Sequence, residues 1–269
     1  MLYRTEGIVL KTIPFGEADL IVSFLTPDYG LLKAFAKSPL KTKSRFGSSL
    51  EPLTHSRIAF WGKEGASLPR LTQSDIIHSF QSIRDKMNCF LRVSEIIELT
   101  LQFLPEREAN RKLYALLLQT LHNIENNLTE FPYTPLWKRG AEGDLKGGKG
   151  GLDLSALHYK VKLLKHLGYA PALDSCGKCG KYGDCFFVSQ GSIFCEDCSR
   201  GMDTPVRISK GVAKLYSNLL TWDISKIKRI QPSNVLLSEL SDIIDAHIEY
   251  INTKTLNSKE FIRSLSCQF

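Results

Sequence analysis

The chain has no run of about 18 apolar residues, the length a helix needs to cross a bilayer, so no membrane-spanning helix is expected. Residues 1–7 lack the charged start and apolar block of a secretory signal, and the expected setting is therefore a reducing cytoplasm. Motifs of covalent chemistry are missing too. There is no nucleophile elbow and no acid pair, and the glycine-rich run of residues 147–151 lacks the G-x4-G-K-[ST] pattern of a phosphate loop. The six histidines, His55, His78, His122, His158, His166 and His247, form no ligand pattern along the chain. These absences argue for a protein that binds rather than one that makes or breaks bonds.

What is present is ordinary in amount and uneven in placement. A chain of 269 residues and 30.3 kDa can bury one large or two modest cores, and 43% hydrophobic with 23% charged residues suits a globular protein. The formal net charge of +7 and a pI near 9.0 favour polyanionic partners.

The strongest local signal is Cys176-Gly-Lys-Cys179, fifteen residues, then Cys195-Glu-Asp-Cys198. Two C-x2-C pairs at this interval match a four-thiolate zinc site, each pair supplying two ligands to one tetrahedral ion. A single pair can be a redox dithiol, but two pairs in turn-like contexts favour zinc. Catalytic zinc keeps a position open for water, whereas four cysteines close the shell, so the expected role is structural. Gly177, Gly180, Gly183 and Gly191 are expected to permit the tight turns that aim the thiolates inward. Cys185, beside Phe186 and Phe187, is expected to be a buried apolar residue.

Residues 1–80 read as short strands. Segments 7–13, 19–26 and 31–37 are rich in β-branched and apolar types, and Pro27, Asp28, Tyr29 and Gly30 form a turn that makes the second and third a hairpin. Segments 53–61 and 67–73 complete five strands, the size and number of an OB-like barrel. Lys33, Lys37, Lys41, Lys43 and Arg45 fall in a window, residues 29–50, that contains no acidic residue. Such a run on a candidate OB barrel suits a groove for single strands, with Phe35 and Phe46 interleaved as stacking surfaces and Tyr29, Phe60 and Trp61 as further candidates.

Beyond residue 80 the apolar period becomes helical, with helices expected over 84–104, 106–126, 154–167, 210–220 and 234–251. In the third, Lys160, Lys162, Lys165 and His166 form the expected polar set, and Ser209 is placed to cap the fourth. Residues 131–151 are glycine-rich with few apolar partners and are expected to be a flexible loop. The reading is α+β: a five-stranded OB-like β-barrel over residues 1–80, then an α-helical domain over 81–269 that carries the four-cysteine zinc site.

Several stretches together resemble the RecO family of recombination mediators over nearly the whole chain. They are Gly7-Ile-Val-Leu10, Thr26-Pro-Asp-Tyr-Gly30, Ala36-Lys37 leading to Lys43-Ser-Arg-Phe46, Leu167-Gly-Tyr-Ala-Pro171, Cys176-Gly-Lys-Cys179-Gly180 and residues 256–262. The resemblance implies a role in the RecF pathway: binding single- and double-stranded DNA, annealing complementary strands, and helping RecA displace single-strand binding protein with RecR as partner. It assigns Lys37, Lys41, Lys43 and Arg45 to DNA. The glycine-rich segment is longer than the family's usual connection and reads as an insertion.

Two other readings stay open at this point. One is a zinc-ribbon protein of transcription or translation that touches nucleic acid with the cysteine loop itself, although residues 180–194 contain only one basic residue, Lys181. The other is a metal-dependent nuclease or deaminase; the deaminase would need H-x-E together with P-C-x-x-C, and no cysteine pair of the chain follows a proline.

Overall fold

Period-two alternation folds the N-terminal segment into strands, and their register shows which residues face inward. The structure is a computed structural model that describes residues 1–40, 46–63, 65–130, 149–202, 204–227 and 229–252. Its strands are β1 (Leu2–Phe15), β2 (Asp19–Thr26), β3 (Gly30–Ala36), β4 (His55–Trp61) and β5 (Arg70–His78), closed into a barrel in the order β1-β2-β3-β5-β4. The link between β3 and β5 is the parallel one, and the other pairings are antiparallel. This is the OB-like barrel expected, with β2 at the expected bounds and β1 much longer.

Val9, Val22, Phe24, Leu32, Ala34, Ala36, Ile58, Phe60 and Leu71 fill the barrel. A bulge in β1 between Val9 and Lys11 inserts Leu10 and changes the phase, so Lys11 and Ile13 point outward where an unbroken strand would turn them in. The turn after β2 is held by one buried hydroxyl: Thr26 Oγ1 accepts from the Tyr29 N–H at 3.0 Å and donates to the Gly30 carbonyl at 3.0 Å. Asp28 at its tip accepts from Thr5 Oγ1 and Arg111, each at 2.8 Å, and these two bonds hold its carboxyl below the ordinary value.

The chain forms two compact units, Met1–Glu125 and Asn126–Phe269. The first adds to the barrel α1 (Gln81–Arg84), α2 (Met87–Phe103) and most of α3 (Arg111–Glu130). The single helix expected over 84–104 is thus two, because Lys86 takes an extended conformation between them. The expected start of the next helix at residue 106 moves to Arg111, where the Asn110 side chain accepts from the Leu113 N–H at 3.1 Å.

The second unit contains α4 (Lys149–Leu167), α5 (Lys210–Thr221), α6 (Ile224–Ile227) and α7 (Asn234–Ile251). It also holds a three-stranded sheet in the order β7-β6-β8, from β6 (Cys185–Phe187), β7 (Ser192–Phe194) and β8 (Val206–Arg207). The region read as purely helical therefore carries a β-ribbon, whose strands are too short for alternation to register. α4 packs against α5 and α7 and is buried on every side from Leu154 to Val161. Lys160, expected on a polar face, is among those buried residues and pairs with Asp245 of α7 at 2.8 Å. Ser209 caps α5 as expected, accepting from the Val212 N–H at 3.2 Å.

The glycine-rich stretch lies outside the described residues except for its last three, which begin α4, and so do residues 256–262. Among the described residues no helix is long and apolar enough to cross a membrane.

Candidate functional site

Two places carry the features singled out in the sequence: the cysteine ribbon of the second unit and the outer surface of the barrel. In the ribbon, Cys176, Cys179, Cys195 and Cys198 converge, with sulfur atoms all within 4.8 Å of one another. Each pair sits in a tight turn. The Gly180 N–H donates to the Cys176 carbonyl at 2.9 Å and the Cys176 N–H to the Lys181 carbonyl at 2.8 Å; the Cys198 and Ser199 N–H groups both donate to the Cys195 carbonyl at 3.0 Å.

Gly180 has the positive φ, 72°, expected of such a turn. Gly183 is needed for close approach instead, since a Cβ there would lie 2.6 Å from the Phe194 carbonyl. β6 and β7 bring the turns together by antiparallel pairing of Cys185 with Phe194. The Gly177 N–H fixes the first turn to β7 by donating to the Ile193 carbonyl at 2.9 Å.

Phe187, Phe194, Cys185 and Met202 pack behind the thiols. Cys185 is buried as expected, and it stands outside the ligand cluster; burial first, then Asp184, raises its thiol. Two of the converging thiols are shifted in opposite directions. Burial raises Cys176, yet the N–H groups of Cys195, Cys179 and Lys178 and the Cys179 thiol outweigh it and bring the group down to about 6. Hydrogen bonds with the Cys195 and Cys179 sulfurs, followed by burial, push Cys198 up to about 12. One sulfur thus carries negative charge easily while another resists it, and a cation held by the four thiols would remove that conflict by displacing their protons. The donor set, four thiolates with no position left for water, fits zinc.

On the barrel, strand register assembles a surface from residues far apart in sequence. Ile13 pairs with Ile21, Ile21 with Phe35, Phe35 with Arg70, and Arg70 with Trp61, a row across all five strands on the outward phase. Lys11, Ser23 and Lys33 form the adjacent row. Phe15 meets Phe35 edge to face, with ring centroids 5.8 Å apart. Phe15 and Trp61 are 54% and 57% exposed, large areas for aromatic rings in water.

Among the basic residues expected at this surface, Lys37 is exposed and Lys33 is paired with Glu106. Lys41, Lys43 and Arg45 lie outside the described residues. The expectation for Phe46 is corrected: at 3% exposure its ring belongs to the barrel core and offers no face to a base. Phe60 and Tyr29 likewise pack into the core cluster, with ring centroids 5.2 Å apart, so of the five aromatics considered Phe35 and Trp61 stay on the outside. Sequence reasoning missed Ile13, Phe15 and Arg70. The pairing of β3 with β5 that brings Arg70 beside Phe35 is non-local, and a bulge sets the phase of Ile13.

A closed OB-like barrel followed by helices that carry a four-cysteine ribbon defines a two-part class of protein, built from a small strand-based unit and a helical unit whose clustered cysteines could hold a metal ion. The chain belongs to the RecO family. Residues 1–80 match the family description "Recombination protein O N terminal" and residues 144–260 match "Recombination protein O C terminal". The DNA repair protein RecO of Thermodesulfovibrio yellowstonii is 42% identical over 254 residues, covering 92% of each chain. That of Syntrophus aciditrophicus is 30% identical over 263 residues, 95% of this chain and 93% of its own. That of Dehalococcoides mccartyi strain 195 is 30% identical over 268 residues, 98% and 96%.

Proposed function

We propose that this protein is a DNA repair and recombination mediator of the RecF pathway that works by binding and not by catalysis. It holds single- and double-stranded DNA, anneals complementary strands, and assists RecA loading on strands coated by single-strand binding protein, with RecR as partner. The observation that supports this reading most is the outward row of the barrel, where Phe35, Arg70 and Trp61 are joined in register beside Lys33 and Lys37. Cations neutralise phosphates and release counterions, while exposed rings stack on bases without regard to sequence.

In this reading Lys33, Lys37, Lys41, Lys43 and Arg45 meet phosphate, joined by Arg70, and Phe15, Phe35 and Trp61 supply the stacking. The barrel of residues 1–80 is the DNA-binding domain. The remainder is a helical domain in which one structural zinc, held by Cys176, Cys179, Cys195 and Cys198, ties the ribbon together. The deciding experiment is complementary-strand annealing by the full chain, with and without single-strand binding protein. Accelerated annealing that persists on coated strands is expected, and no acceleration in either case overturns the proposal.

A further inference from the structure

The barrel unit contains a second cluster of metal-ligating side chains that the cysteine pattern does not involve. His78 is the last residue of β5, and His122 and Glu125 are one turn apart on α3, an i, i+3 spacing that sets both on one helix face. Forty-four residues separate the two histidines in sequence, and the packing of α3 beside the end of β5 brings one donor atom from each of the three side chains within 4.8 Å of the others.

We propose that His78, His122 and Glu125 form a second divalent-cation site, with zinc as the ion of best-matched chemistry. Two imidazole nitrogens and one carboxylate oxygen are a recognised three-ligand set for zinc, leaving a fourth position for water. Metal–ligand bonds of about 2.0–2.1 Å place tetrahedral donors roughly 3.3 Å apart. His78 Nε2 and Glu125 Oε2 are already in contact, 2.5 Å apart.

The surroundings hold the donors in place. Ser82 Oγ donates to the other carboxylate oxygen, Oε1, at 2.6 Å, leaving Oε2 to face the imidazole. The fully buried Phe80 ring packs edge to face on His78 and on His122, with centroids 4.5 and 4.8 Å away, and forms an apolar wall behind both. The third nearby histidine is engaged elsewhere, since His55 Nε2 meets the Tyr114 hydroxyl at 2.8 Å. All three donors are partly exposed, so an ion has a route in from solvent. A cation here would clamp the end of β5 to α3, whereas the cysteine centre clamps the ribbon.

The test is the zinc content of the tag-free full chain after equilibrium dialysis against low-micromolar zinc. Two ions per chain are expected for the wild type and one for His122→Ala and for the His78→Ala/His122→Ala pair. Ser82→Ala should retain the second ion with roughly tenfold weaker affinity, the effect of removing an orienting hydrogen bond. Cobalt in the second site should add visible absorption without the near-ultraviolet thiolate charge-transfer band of the cysteine centre. A single ion per wild-type chain overturns the proposal whatever the variants do, and so does a second ion that survives in the double histidine variant. Circular dichroism of each variant separates a lost ligand from a lost fold, and Glu125→Gln, which keeps the shape and removes the charge, should also lose the ion.

Discussion

The barrel and the cysteine ribbon are both built from short antiparallel strands, yet they use them for opposite ends. In the barrel, nine inward strand residues, with Phe46 and Leu50, fill the core, and the outward phase carries aromatic and basic side chains among aliphatic and polar ones, so the surface is a by-product of the alternation. In the ribbon, strands of three residues bury Cys185, Phe187 and Phe194 together, and the four other cysteines turn inward on a common point. A small sheet with a sufficient core can spend its outer face on a partner. One without such a core needs its special residues for itself.

Five expected outcomes would break or sharpen that contrast. Structural zinc centres contribute on the order of 10 kcal/mol to the folding of the segment that holds them. Cys176→Ser should therefore remove cooperative unfolding of the ribbon and its helices while amide exchange in β1 to β5 stays protected; equal thermal stability with and without metal would sink the structural role. Next in size is the pair of buried Lys160 with half-buried Asp245. Lys160→Ala removes the ammonium that faces the Asp245 carboxylate and should cost about 3 kcal/mol in urea unfolding, and a loss below about 1 kcal/mol would mean that the pair contributes little to the packing of α4 on α7.

His158 provides a pH test of the same unit. Burial holds its imidazole down to about 4. Because the folded form binds the proton less well than the unfolded one, stability is complete above the ordinary value of 6.5 and falls as pH drops toward 4, by up to about 3 kcal/mol. His158→Gln should flatten that decline, and an unchanged pH profile would assign it to other groups. On the barrel, Trp61→Ala should weaken single-strand affinity by about 1–3 kcal/mol with the melting temperature unchanged. A melting point that falls with the affinity would make Trp61 a packing residue.

The smallest effect is expected from Asp28→Asn. Its carboxyl is held low by Thr5 and Arg111, so its contribution is present above the ordinary value of 3.8 and disappears as pH falls below it. At an exposed site this amounts to roughly 0.5 kcal/mol. A larger loss would show that the Thr26 turn depends on Asp28.

Legibility followed sequence distance. The cysteine centre could be read directly because its ligands come in two pairs, each closed by one turn, and the spacing alone carries the chemistry. β2 and α7 were legible to the residue because unbroken periodicity and turn or break signals bound them. Phe46 was misread because a basic, serine-rich neighbourhood says nothing about which way one ring points; at 3% exposure it is core. Lys160 was misread because a lysine at a polar phase of α4 finds its carboxylate on α7, 85 residues away. The row from Ile13 to Trp61 and the triad of His78, His122 and Glu125 exist only through non-local packing, so neither leaves a trace in spacing.

The central claim is that the barrel recognises DNA and the cysteine ribbon maintains the fold. It is tested most directly by the salt dependence of single-strand affinity, measured on the zinc-loaded full chain and on two surface variants. Lys37→Ala/Arg70→Ala alters the barrel row, and Lys178→Ala/Lys181→Ala removes exposed lysines of the ribbon. Each lost phosphate contact should lower the slope of log affinity against log salt by about 0.7. The barrel variant is therefore expected to bind more weakly with a slope shallower by about 1.4, and the ribbon variant to match the wild type. A full slope in the barrel variant together with a shallower one in the ribbon variant would contradict the account and move recognition to the cysteine loop.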